Sequence, residues 1–109
     1  MITATVVKNR SEYVSFSCKG HAGFAKAGKD IVCSAISALT INAANSIMTL
    51  TSSDIDVNEN DGFLSWKFTN GCDRDATLLM DSLLIGLRSV EEEYNKKYLR
   101  IEIKEDSHD

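Results

Sequence analysis

Gly20-His21-Ala22-Gly23-Phe24-Ala25-Lys26-Ala27-Gly28-Lys29-Asp30-Ile31-Val32-Cys33-Ser34-Ala35-Ile36-Ser37 is the stretch where this chain changes its hydrophobic period. Before it, residues 2–8 and 13–19 alternate apolar and polar side chains, as half-buried strands do. Val14, Phe16 and Cys18 are expected on one face, with Tyr13, Ser15 and Ser17 on the other. The polar break Asn9-Arg10-Ser11-Glu12 reads as their hairpin connection. From Ile31 to about Thr51 the period is helical, with Val32, Ile36, Leu39, Ala43, Ile47 and Leu50 in one stripe. Asp30 is then the expected N-cap, and Cys33 the third helical residue.

Further along, Ile55 and Val57 begin a short strand, Asn58-Glu59-Asn60-Asp61-Gly62 is a turn, and Leu64, Trp66 and Phe68 alternate along the next strand. A second helix is expected from roughly Asp73 to Tyr94, with a core stripe of Ala76, Met80, Leu83, Leu87, Val90 and Tyr94. It also carries Leu78, Leu79, Leu84 and Ile85, more apolar side chains than one face of a small domain covers. Glu91-Glu92-Glu93 reads as a solvated helix end. A last strand, Tyr98 to Lys104, points Leu99, Ile101 and Ile103 inward, and residues 105–109 are a polar tail. The order β-β-α-β-β-α-β predicts one α+β domain over residues 1–109, with two layers: two helices packed on one face of a mainly antiparallel sheet.

The 109 residues are 43% apolar and 26% charged, an ordinary globular composition. A net charge of -4 argues against a general nucleic-acid binder and suits a basic peptide partner. The N-terminal segment alternates like a strand rather than reading as a signal peptide, and no apolar run is expected to reach the ~20 residues that span a bilayer. Cys18, Cys33 and Cys72 have no CxxC spacing and read as free thiols of a reducing cytosol. No ligand pair has zinc-site spacing, so neither metal nor cofactor is expected.

Cys33 and His21 carry the chemistry. A thiol near a helix N-terminus meets the positive end of the helix dipole, which favours the thiolate. His21, tethered 12 residues earlier, is the only histidine before the polar tail and can return as base to that thiol. A lone cysteine is more often a small buried hydrophobe. Here, however, the core stripe runs through Val32 and Ile36, leaving Cys33 to one side with Ser37 four residues on. Gly20, Gly23 and Gly28 make the intervening segment a loop that bends tightly or moves. No GK[ST] follows, so it is not a phosphate loop. Asp30 has the cap as its plain role, and orienting His21 as its functional one. Cys18 reads as core, and Cys72 has no evident role.

Gly20-His21-Ala22-Gly23 followed by Gly28-x-Asp30-Ile31-Val32-Cys33-x-Ala35-x-Ser37 closely resembles the ribosomal-processing cysteine protease family. The likeness extends over nearly the whole chain, but its specificity lies in residues 20–37. It implies a bacterial cytosolic endopeptidase, a homodimer, that trims the N-terminal extension of large-subunit ribosomal protein twenty-seven after an aromatic residue. By position, Cys33 would be the nucleophile and His21 its catalytic partner, with Asp30 and Ser37 supporting. Ser34 stands where the family commonly has alanine. Two other classes stay open on the residues: a non-enzymatic module that binds a ribosomal protein, and a thiol redox sensor, which needs a resolving cysteine beside Cys33.

Overall fold

The computed structural model describes residues 1–20 and 29–106, with Lys29 and Asp30 described by backbone alone. The elements are β1 (Ile2–Asn9), β2 (Glu12–Lys19), α1 (Lys29–Leu50), β3 (Ile55–Asn60), β4 (Phe63–Phe68), α2 (Arg74–Glu93) and β5 (Leu99–Glu105). The strands form one sheet in the order β3-β4-β2-β1-β5. β1–β2, β2–β4 and β3–β4 are antiparallel, and only β1–β5 is parallel. This is the expected α+β architecture. β5 runs one residue past the expected strand, taking in Glu105 from the polar tail.

Register explains which side chains are buried. Ile2, Ala4 and Val6 pair with Leu99, Ile101 and Ile103 of β5, while Phe16 and Cys18 pair with Trp66 and Leu64 of β4. Directly paired residues share a face, and this face carries the core. Thr3, Thr5, Ser17 and Ser65 fall on the other face, away from the two described helices. Phe16 and Trp66 stack with ring centroids 4.6 Å apart. α1 touches α2 and β3, and α2 touches β2 and β5, so both helices lie over the apolar face. A Cβ on Gly86 of α2 would come within 2.9 Å of Leu39 Cδ2, which explains why glycine stands where the two helices approach.

Four details depart from the expectation. The β1–β2 register slips between Val7 and Lys8, leaving Val14 as an extra residue on β2. This bulge puts Tyr13, not Val14, into the core beside Phe16, because one inserted residue inverts the alternation. Tyr13 Oη donates to Asp81 Oδ1 of α2, and burial together with that bond pushes its pKa up. The expected turn over residues 58–62 narrows to Asp61-Gly62, with Gly62 at φ 73°; pairing with β4 draws Asn58, Glu59 and Asn60 into β3 despite their polarity. Ile103 and Leu50 are exposed rather than buried: Leu50 is the last residue of α1, and Ile103 lies on β5, an outermost strand of the sheet. Glu91 is buried, with Oε2 accepting the Ile101 N–H of edge strand β5 at 3.2 Å and Arg88 Nη1 3.6 Å from Oε1. Glu92 and Glu93 are exposed as expected.

The helix starts differ as well. Asp73 caps α2: Oδ1 accepts the Ala76 N–H at 2.7 Å and Oδ2 the Ser52 N–H at 3.0 Å. The Ala76 bond leads the effects that hold its carboxyl below its usual pKa. α1 begins at Lys29, so Asp30 lies within its first turn and is not the N-cap, and Cys33 is the fifth helical residue rather than the third. Ile31–Leu50 contains no charged residue, and its 20 residues have a mean hydropathy of 1.5, long and apolar enough by length and composition to cross a bilayer. That corrects the expected absence of such a run. Uncharged Ser, Thr and Asn residues break up the apolar pattern without lowering the hydropathy far. In the fold this helix buries Val32, Ile36, Thr40, Ala43, Ala44 and Ile47 in the core layer.

Candidate active site

A cleft of about 310 Å³ opens where the N-terminal half of α1 meets the end of the sheet. α1 contributes Cys33, Ile36, Ser37, Thr40 and Ile41; Ile2, Cys18 and Gly20 come from β1 and the end of β2. The far wall is the β3–β4 turn, from Glu59 to Leu64. Cys33 and Ser37, one helical turn apart, therefore share the cleft as their spacing predicts. Cys33 is half-buried and Ser37 exposed. Thr40 is buried, its hydroxyl satisfied by the Ile36 carbonyl at 2.8 Å.

The later start of α1 changes one part of the chemistry. At the fifth helical position the Cys33 N–H belongs to the intrahelical ladder, and the N–H groups that this ladder does not use belong to residues earlier in the helix. Side chains tilt toward the N-terminus of their helix, and the Cys33 side chain lines the cleft from the N-terminal part of α1.

Gly20 has a defined part. Its φ is +106°, its N–H donates to the Gly62 carbonyl at 2.9 Å, and a Cβ there would lie 2.6 Å from the Met1 carbonyl oxygen. It ties the end of β2 to the β3–β4 turn and to the start of β1, an anchor at the cleft rim. His21, bonded to Gly20, lies outside the described residues, as do Gly23 and Gly28. For Asp30 the description covers backbone only.

Two features of the cleft were not read from the sequence. The β3–β4 turn closes it, although those residues follow Cys33 by more than 25 positions in the chain. Cys18 lines it too, and burial, followed by the neighbouring Cys33, pushes the Cys18 thiol up to about 11. Its inward parity was legible; its meeting with α1 was not. Cys72 is apart from the cleft, with its sulfur 3.4 Å from Thr77 Oγ1 and its pKa raised chiefly by burial. Among the described residues, no three His, Cys, Asp or Glu side chains are grouped to hold a metal ion.

The family model of the cysteine protease Prp matches residues 1–99. The chain belongs to the Prp family. It is accordingly a cysteine protease, which sets the non-enzymatic binding module aside. The ribosomal processing cysteine protease Prp of Bacillus subtilis is 31% identical over 108 residues, covering 93% of this chain and 96% of that protein. The essential ribosomal processing protease Prp of S. aureus has been solved with a covalently linked product peptide; it is 32% identical, with a TM-score of 0.85 over 95% of this chain and 100% of that one. The same S. aureus protease with a substrate peptide gives a TM-score of 0.86 at 31% identity and the same coverage. The Prp fold thus extends across the described elements of this chain.

Proposed function

We propose that this protease removes the N-terminal extension of large-subunit ribosomal protein twenty-seven in the cytoplasm, acting as a homodimer, with Cys33 as nucleophile and His21 as its catalytic partner. The observation that carries this reading is Cys33 near the start of α1, opening on a cleft that the β3–β4 turn walls on its far side. The peptide-bound S. aureus relatives support a peptide substrate. Ile2, Ile41, Phe63 and Leu64 give the cleft apolar wall suited to an aromatic side chain at the cut. The acidic chain suits a basic precursor.

In the reaction, the Cys33 thiolate attacks the scissile carbonyl, and N–H groups at the start of α1 stabilise the oxyanion. His21 protonates the leaving amine and then activates the water that releases the acyl group. The segment with Gly23 and Gly28 admits the peptide, and Asp30 and Ser37 support the pair. Homodimerisation draws on Leu78 and Ile85 of α2 and Met48 of α1, all exposed. The test is incubation with the unprocessed ribosomal protein, followed by mass analysis of its N-terminus. A single shortened product with the wild type and none with Cys33→Ala is expected; full cleavage by a folded Cys33→Ala protein overturns the mechanism.

A further inference from the structure

We propose that Cys18 and Cys33 are joined by a reversible intramolecular disulfide when a peroxide reaches the cleft. Two cysteines 15 residues apart, on different elements, line one small cavity. Cys18 stands on β2 in register with Ala4 and Leu64, on the sheet face that the helices cover. Cys33 sits on α1 between Val32 and Ile36, both buried onto that same face. In keeping with that shared cavity, Cys33 adds to the effect of burial in raising the Cys18 thiol. Cys72, held at the start of α2 by Thr77 and Asp73, is placed to join neither.

The chemistry balances in two steps. The Cys33 thiolate attacks one peroxide oxygen; the O–O bond breaks, an S–O bond forms, and the departing hydroxide takes up a proton as water. Cys18 then attacks the Cys33 sulfenic acid, the S–S bond forms, and hydroxide leaves with the Cys18 proton as a second water. The dithiol loses two electrons and the peroxide gains them. Burial keeps Cys18 protonated at neutral pH, which suits it to be the resolving rather than the attacking thiol. Close placement within one cavity offsets the small thiolate fraction of Cys18. The bond removes the Cys33 thiolate until a reductant restores it. That consequence for cleavage rests on the function proposed for Cys33; the bond itself does not.

The test uses the full reduced chain, treated with hydrogen peroxide, alkylated with iodoacetamide, digested and mapped by mass spectrometry. The expected result is an intact mass lower by two hydrogens, a linked peptide pair containing Cys18 and Cys33, an alkylated Cys72, and recovery of both thiols with dithiothreitol. Irreversible sulfinic acid on Cys33 beside a freely alkylated Cys18, a pair that includes Cys72, or a link between two chains overturns the proposal. In Cys18→Ala, checked for native circular dichroism, the same treatment carries Cys33 to an oxidation state that dithiothreitol does not reverse. Equal recovery of Cys33 in that variant also overturns it. Formation of the Cys18–Cys33 bond with undiminished precursor cleavage upholds the disulfide and removes Cys33 as nucleophile.

Discussion

Replacing Gly20 with alanine is predicted to cost far more stability than the same change at Gly71, although both glycines have positive φ, +106° and +83°. A non-glycine residue in that region costs about 1–2 kcal/mol, and alanine recovers about 0.4–1 kcal/mol by restricting the unfolded chain. At Gly71 a Cβ meets only the flexible Glu12 carboxylate, at 3.8 Å, so the net loss is about 0.5–1 kcal/mol. At Gly20 the Cβ falls 2.6 Å from the Met1 carbonyl oxygen, which is backbone and must move. That oxygen shares its carbonyl carbon with the peptide nitrogen of buried Ile2, whose N–H is bonded to the Tyr98 carbonyl at 2.9 Å. Weakening that bond and part of the Ile2 burial adds about 1–3 kcal/mol, for a total of about 2–4 kcal/mol. With a urea slope of about 2 kcal/mol per molar, the unfolding midpoint falls by about 1–2 M for Gly20→Ala and by less than about 0.5 M for Gly71→Ala. Urea titration followed by Trp66 fluorescence measures both. Equal shifts, or a Gly20→Ala midpoint within the scatter of the wild type, would refute the close approach on which the anchor at the cleft rim rests.

Further predictions concern the rest of the frame. Glu91→Ala, which strands the Ile101 N–H, is expected to lose about 1–2 kcal/mol, whereas Glu91→Gln keeps an acceptor and loses less; urea midpoints separate the two. Because the folded Cys18 thiol holds its proton up to about 11, above its ordinary 9.0, its contribution to stability is complete below pH 9 and fades as pH rises through 11. The fall in urea midpoint over that window should therefore be shallower in Cys18→Ala than in the wild type, and parallel profiles would contradict the assignment. Sedimentation at micromolar concentration is expected to give a dimer, and Ile85→Glu, at a side chain 71% exposed in the single chain, a stable monomer. A wild-type monomer would remove the dimer without touching the site.

The alternation of Ile2, Ala4 and Val6 and of Leu64, Trp66 and Phe68, and the helical stripes through Ile36 and Met80, were enough to read the layers and the element order. What they could not convey was set by contacts between elements. The extra residue at Val14 is visible only once β2 is paired with β1, and it decides that Tyr13 faces inward. Glu91 resembled its two exposed neighbours until edge strand β5 offered an N–H to it. Asp30 had the chemistry of a cap, but the helix begins before it. In the site, Cys33 and Ser37 shared a face by local periodicity alone. The presence of Cys18 and of the β3–β4 turn depended on where α1 lands on the sheet, which no local pattern encodes.

Covalent capture tests the central claim, that Cys33 is the nucleophile of this cleft, most directly. The purified chain is incubated with a short peptide ending in a phenylalanine chloromethyl ketone, and the modified residue is mapped by mass spectrometry. The account predicts one adduct per chain, on Cys33, with Cys18 and Cys72 unmodified and precursor cleavage lost in proportion to labelling. An adduct on Cys18 or Cys72 that leaves Cys33 free, or full cleavage by completely labelled protein, would contradict it.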